Sequence, residues 1–242
     1  KSITDFIHSI ISSITSPNPP HWLLCEGSSE KIYFEAYFQQ EINANKLRVI
    51  PTGGAKKIKR IYNNLVTPYN EMKESTDREL QKKWGKILLL SDTDEELINY
   101  PVENHDSLRC RRLINHSGLI NHSDGITKWI NIDSNPVSPA TEIEDCLNGK
   151  LFIKTLHYFS EQDQFHYLND IVDFENEFSE ESSYFVLNLR LSDKNKLDEF
   201  FNTNNGSMKI EFARKYVEFM SEKDANYSEP MWITEIKTWF EE

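Results

Sequence analysis

The sequence predicts an α/β protein: a mostly parallel sheet flanked by helices, with a helical carboxyl-terminal appendage. Three observations lead there. Apolar runs of strand length occur at 22–25, 47–50 and 86–90, each too short for a helix and each followed by helix-prone residues. The runs stop at turn signals or carboxylates: Glu26-Gly27, Gly53-Gly54 and Ser91-Asp92-Thr93-Asp94. Beyond residue 150 the pattern turns helical and acidic, at 161–178, 193–202, 207–221 and 229–240.

In chain order, apolar positions 6, 7, 10, 11 and 14 form a helical stripe over 4–15. The Ser16–Pro20 stretch breaks it before the first strand. After Glu26-Gly27 an amphipathic helix carries Glu30 in its first turn, followed by Ile32, Tyr33, Phe34, Tyr37 and Phe38. A strand end at the carboxyl edge of an open α/β sheet is where such folds place their sites. Glu30 also suits the helix dipole, so a purely structural role is open to it. The turn Pro51-Thr-Gly-Gly54 leads into a helix bearing Lys56, Lys57, Lys59 and Arg60. That arrangement suits a backbone turn approaching a phosphate, or a solvated lysine face. Residues 71–84 are charged and helix-prone.

The strand at 86–90 runs into Asp92 and Asp94, which project from the same face of an extended segment and are able to share a cation, or to cap the next helix. The polar stretch at about 98–127 reads as an insertion, with Arg109, Arg111 and Arg112 able to touch a phosphate backbone but better suited to a solvated strand face, and with His116 and His122, six apart and so wrongly spaced for a helical metal pair, in strand edges or turns. A strand is expected at 128–132, and a helix over 140–147 capped by Thr141, with Glu142, Glu144 and Asp145 in its first turn. Residues 185–189 suit a short strand or part of a helix, and 202–206 a turn before Lys209. The expected organisation is therefore a helix and linker at 1–20, an α/β core at 21–150 and a mainly helical region at 151–242.

The composition narrows the function classes. With 27 Lys and Arg against 39 Asp and Glu, the net charge of −12 argues against coating nucleic acid by bulk electrostatics. It is compatible with a carboxylate cluster that binds divalent cations. The three scattered cysteines, Cys25, Cys110 and Cys146, lack metal-ligand spacing and read as free thiols of a reducing cytoplasm. No apolar run approaches membrane-spanning length.

Taken together, strand–Glu-Gly–helix, strand–Gly-Gly–helix, strand–Asp-x-Asp and a later acidic turn resemble the Toprim domain, a Rossmann-like Mg²⁺-dependent module. The similarity is greatest to the Toprim nuclease half of OLD-family enzymes and to antiphage relatives such as the Gabija nuclease. It covers roughly residues 20–215. Cys25-Glu-Gly-Ser-Ser-Glu30 is similar to the first motif, Pro51–Gly54 to the second strand and turn, and Ser91–Asp94 to the paired aspartates. Thr141–Glu144 is similar to the late acidic motif, although Glu142 stands where OLD enzymes often carry Ser or Thr. Lys209–Ala213 resembles the segment carrying a catalytic lysine.

The resemblance implies a divalent-metal-dependent endonuclease holding one or two Mg²⁺ or Mn²⁺ ions. Catalysis is implied for Glu26, Glu30, Asp92, Asp94, Glu144 and Lys209, metal ligation for Glu26, Glu30, Asp92, Asp94, Glu142 and Glu144, and nucleic-acid binding for Lys56, Lys57 and Arg60. It further implies DNA as substrate in preference to RNA, an oligomeric cytoplasmic effector of antiphage defence, and an ABC-type ATPase domain or subunit as partner. The chain, which begins with Lys, is expected to be an excised half of an ATPase–Toprim fusion or a standalone effector of the PARIS type. The alternatives are a non-catalytic Toprim-like scaffold regulated by an ATPase, and a phosphatase or nucleotide hydrolase using the same carboxylates.

Overall fold

The computed structural model describes residues 2–93, 98–115, 126–135, 140–172, 179–183 and 191–242. Among them a five-stranded sheet runs in the order β2-β1-β3-β4-β5, formed by β1 (His21–Cys25), β2 (Leu47–Pro51), β3 (Ile87–Ser91), β4 (Leu108–Ile114) and β5 (Lys128–Asn131). The pairs β1–β2, β1–β3 and β3–β4 are parallel, with Leu23 opposite Val49 and Leu88, and Ser91 opposite Arg112. Burial follows position in the sheet. Every residue of β3 is buried, as a parallel strand covered on both faces requires, whereas β2 alternates and β5 has no buried residue. No helix among the described residues is long and apolar enough to cross a membrane.

The chain divides into two compact units, 1–92 with 96–112 and 130–135, and 93–95 with 113–129 and 136–242. In the first, α1 (Ile3–Ile14) is closed at its start by a capping box between Ser2 and Asp5. Its buried Ile7, Ile10 and Ile14 pack with Ile58, Ile61 and Leu65 of α4 (Ala55–Glu74) and with Ile87 and Leu89 of β3. Helix α2 (Ser28–Tyr37) buries Glu30, Tyr33 and Phe34, an i, i+3, i+4 stripe. Short helices α3 (Gln39–Asn43) and α5 (Arg78–Gln81) complete the unit.

His21 opens β1 and its Nδ1 accepts the Lys86 backbone N–H at 2.8 Å. Burial, with Lys86 and Lys46 nearby, pushes its pKa down to about 4 from the ordinary 6.5. Protonation is therefore disfavoured in the folded state, and the unfolded chain binds the extra proton. The stability His21 contributes is complete above pH 6.5 and is lost as the pH falls toward 4. A histidine-resolved NMR titration is expected to find this imidazole neutral at pH 5.5; a midpoint near 6.5 would contradict it.

The second unit is helical, with α6 (Gly149–Ser160), α7 (Asn169–Val172), α8 (Leu191–Asn202), α9 (Ser207–Met220), α10 (Met231–Glu241) and 3-10 turns at Ile143–Cys146 and Asp163–Leu168. Its core is a cluster of phenylalanines in which Phe212 stands 4.9 Å from Phe152, 5.3 Å from Phe201 and 6.1 Å from Phe159, ring centre to ring centre. The loop before α9 turns through Asn204, Asn205 and Gly206, all at positive φ.

Several expectations need correction. The stretch read as a polar insertion contains β4, which lies between β3 and β5. Arg112 is not on a solvated face but buried, its guanidinium donating to the carbonyls of Ile98 (2.8 Å) and Ile132 (2.5 Å). A buried cation is tolerable there because it satisfies backbone carbonyls. The helix expected at 140–147 is only a 3-10 turn capped by Glu142, because Asn148 caps α6 by accepting from the N–H groups of Lys150 and Leu151. Thr141 instead pairs with Thr93 in an antiparallel bridge. His116, His122, residues 173–178 and 185–189 lie outside the described residues.

Candidate metal centre

In the first unit the strand order reverses between β1 and β3, and in open α/β sheets the crevice beyond the carboxyl ends at such a reversal is the usual ligand site. Glu26 follows β1 and Asp92 follows β3. One Glu26 carboxylate oxygen accepts the Asp92 backbone N–H at 2.8 Å, so the two strand ends are tied by a side chain that is itself a candidate ligand. The Glu26 carbonyl meanwhile accepts from Gly53 (2.7 Å) and Gly54 (3.0 Å). Gly53 and Gly54 have φ of +96° and +123°, a conformation that side chains resist, so the turn after β2 is held against the end of β1.

Glu30 shares the inward stripe of α2 and is buried. Its carboxylate folds back over Gly27, where a Cβ would stand 2.8 Å from Oε2, and the Ser29 hydroxyl donates to the same oxygen at 3.1 Å. Gly27 therefore serves two purposes, ending the strand and leaving room for this carboxylate. The charges of all three acids act on one thiol. Burial, followed by the charges of Glu30, Asp92 and Glu26, holds Cys25 well above the ordinary thiol range, so it remains protonated and inert as a nucleophile. Lys56, Lys57 and Arg60 are exposed at the start of α4, on the side away from buried Ile58 and Ile61. Lys57 Nζ lies over the Gly-Gly turn, 2.8 Å from where a Cβ of Gly53 would be.

In the second unit Glu142 and Glu144 meet Lys209. Its Nζ is 2.9 Å from Glu142 Oε2 and 3.9 Å from Glu144 Oε2. Glu142 is exposed and Glu144 buried. The turn carrying them is locked from several sides. The Ser183 hydroxyl donates to the Glu144 carbonyl, Ser182 and Asn115 both donate to the Asp145 carbonyl, and the Trp232 indole donates to Cys146. Asp145 was not among the candidate ligands; burial raises its pKa to about 7, opposed by the Glu142 backbone N–H it accepts. Comparisons with family models, with curated proteins and with solved structures give no match to this chain.

The structure thus gathers Glu26, Glu30 and Asp92 in the first unit, and Glu142, Glu144 and Lys209 in the second. Asp94 lies outside the described residues. Cys25, Cys110 and Cys146 are in no disulfide among the described residues, the thiol state expected from their spacing, and all three are buried. The donor set consists of carboxylates, which suits a hard cation such as Mg²⁺ or Mn²⁺. The space left over Gly27 for Glu30 fits that use. Among the described residues no three His, Cys, Asp or Glu side chains converge closely enough to hold an ion together.

Proposed function

We propose that the chain is a divalent-metal-dependent endonuclease of the Toprim type, hydrolysing phosphodiester bonds of DNA in preference to RNA. The observation that carries this reading is the placing of Glu26 and Asp92 after adjacent parallel strands at the reversal of strand order, joined by a hydrogen bond and flanked by buried Glu30. Glu26, Glu30 and Asp92, with Asp94, Glu142 and Glu144, would hold one or two Mg²⁺ or Mn²⁺ ions. Such ions activate the attacking water and stabilise the leaving oxygen.

The remaining chemistry belongs to the chain's own cations. Lys209 offsets negative charge as it develops on the scissile phosphate, with Glu142 and Glu144 fixing its ammonium beforehand. Lys56, Lys57 and Arg60 hold the nucleic-acid backbone, supplying locally the positive charge that the molecule lacks overall. The reading extends to a cytoplasmic, oligomeric effector of antiphage defence working with an ABC-type ATPase domain or subunit.

The test is incubation of the chain with plasmid DNA and with tRNA, each with and without Mg²⁺ or Mn²⁺. Metal-dependent nicking of DNA that exceeds cleavage of tRNA is expected. Absence of cleavage with either metal would count against the reading. A non-catalytic scaffold is the second reading, favoured by the lack of a converged ligand triad among the described residues. It predicts no cleavage under any of these conditions.

A further inference from the structure

We propose that a cleft in the second unit binds a nucleobase, independently of the acidic residues and of the nuclease reading. The cleft is lined from α6, the 3-10 turn at Asp163–Leu168 and α9, and has a volume of about 330 Å³. That falls within the range of roughly 300–1,000 Å³ typical of small-molecule sites.

Its lining divides by chemistry. The buried side chains of Phe159, Phe165 and Met208 supply apolar surface. Tyr158 adds a large ring that is 39% exposed. This ring is held in place: Lys215 Nζ lies 4.0 Å from its centre, and the rings of Phe159 and Phe219 meet it nearly at right angles, 5.1 and 6.0 Å away centre to centre. A ring already fixed offers a planar ligand contact surface at little further cost in side-chain freedom.

Gln162 and Gln164 bring polar groups to the same cleft. Among the described residues no hydrogen bond engages either side-chain amide. Each amide carries both an acceptor and donors. Charge, by contrast, is already matched. On α9, Arg214 pairs with Glu211 and Lys215 with Glu218, each at 3.1 Å. These four side chains are the charged lining of the cleft and sum to zero, so an ionic ligand meets no unmatched charge there.

The cleft therefore suits a neutral planar ring with donors and acceptors along its edge. An aromatic hydrocarbon leaves both amides unmet, and a sugar leaves the apolar surface uncovered. A nucleobase satisfies both, and adenine is the best match. A glutamine amide bonds its N6 and N7 bidentately, while an aromatic side chain stacks on its face.

The experiment titrates ligands into the full chain with no divalent metal added, while the side-chain amide resonances of Gln162 and Gln164 are followed by NMR. One arm uses adenosine and another a single-stranded oligodeoxyadenylate; benzyl alcohol and ribose are controls for the ring and the sugar alone. A saturable shift of at least one amide is expected in an adenine arm, and the tighter arm identifies whether a free nucleoside or a base within a strand is the source. Tyr158→Ala is expected to weaken that binding about fivefold or more, through loss of one stacking contact. Gln162→Leu or Gln164→Leu is expected to weaken it about three- to tenfold, through loss of hydrogen bonds. The wild-type titration stands as a test without the variants. No saturable shift in either adenine arm, equally tight binding of benzyl alcohol or ribose, or wild-type affinity in a folded Tyr158→Ala protein or in both glutamine variants would overturn the proposal. Neither metal nor cleavage is read, so failure here leaves the nuclease reading to its own test.

Discussion

Replacing Glu26 or Asp92 with alanine is expected to lower Mg²⁺- or Mn²⁺-dependent cleavage by more than about 100-fold. Removing a group that merely orients a metal ligand already costs on the order of 10–100-fold, and these side chains are proposed as ligands themselves. A structural role for Glu26 is separable from a metal-binding one. Its carboxylate oxygen accepts the Asp92 backbone N–H, a bond that the amide oxygen of Glu26→Gln preserves while losing the charge. Glu26→Gln is therefore expected to keep the wild-type circular dichroism and thermal midpoint yet lose cleavage along with Glu26→Ala. Full activity in Glu26→Gln would mean that the residue only ties β1 to the residue following β3.

The second large effect concerns stability. Phe212→Ala removes a fully buried ring that contacts four other phenylalanines of the second unit, Phe152, Phe159, Phe200 and Phe201. Buried Phe→Ala changes cost about 3–5 kcal/mol, from lost transfer energy and the cavity left behind. This is a large part of the roughly 5–15 kcal/mol that holds an ordinary domain folded. Urea denaturation followed by far-ultraviolet circular dichroism is expected to show a lower-midpoint transition of that size. A loss below 1 kcal/mol would show that neighbouring rings collapse into the space.

The same physical contrasts explain what was legible in the sequence. The strands β1 and β3 were readable because parallel strands covered on both faces must be apolar almost without interruption, as in Leu23–Cys25 and Ile87–Leu90. The positions of Glu26 and Asp92, directly after β1 and β3, were readable because each carboxylate closes an apolar run. The place of β4 within the sheet was hidden by its arginines. Charge at 109, 111 and 112 reads as solvent exposure, and only the fold reveals that the Arg112 guanidinium meets the carbonyls of Ile98 and Ile132. The turn at Glu142–Cys146 imitated a helix because acids after Thr141 satisfy the same dipole preference, while the contacts that stop it come from Asn115, Ser182, Ser183 and Trp232, all distant in sequence. Glu30 lay between these cases. Its first-turn position was visible, but its burial becomes apparent only from the shared stripe with Tyr33 and Phe34.

Whether the carboxylates after β1 and β3 are cation ligands is tested by Mn²⁺ without reference to substrate. Titration of the full chain followed by electron paramagnetic resonance of free Mn²⁺ is expected to show saturable binding of one or two ions, weakened at least about tenfold in Glu26→Gln and in Asp92→Asn. Wild-type affinity and stoichiometry in both variants, with the fold intact, would contradict it.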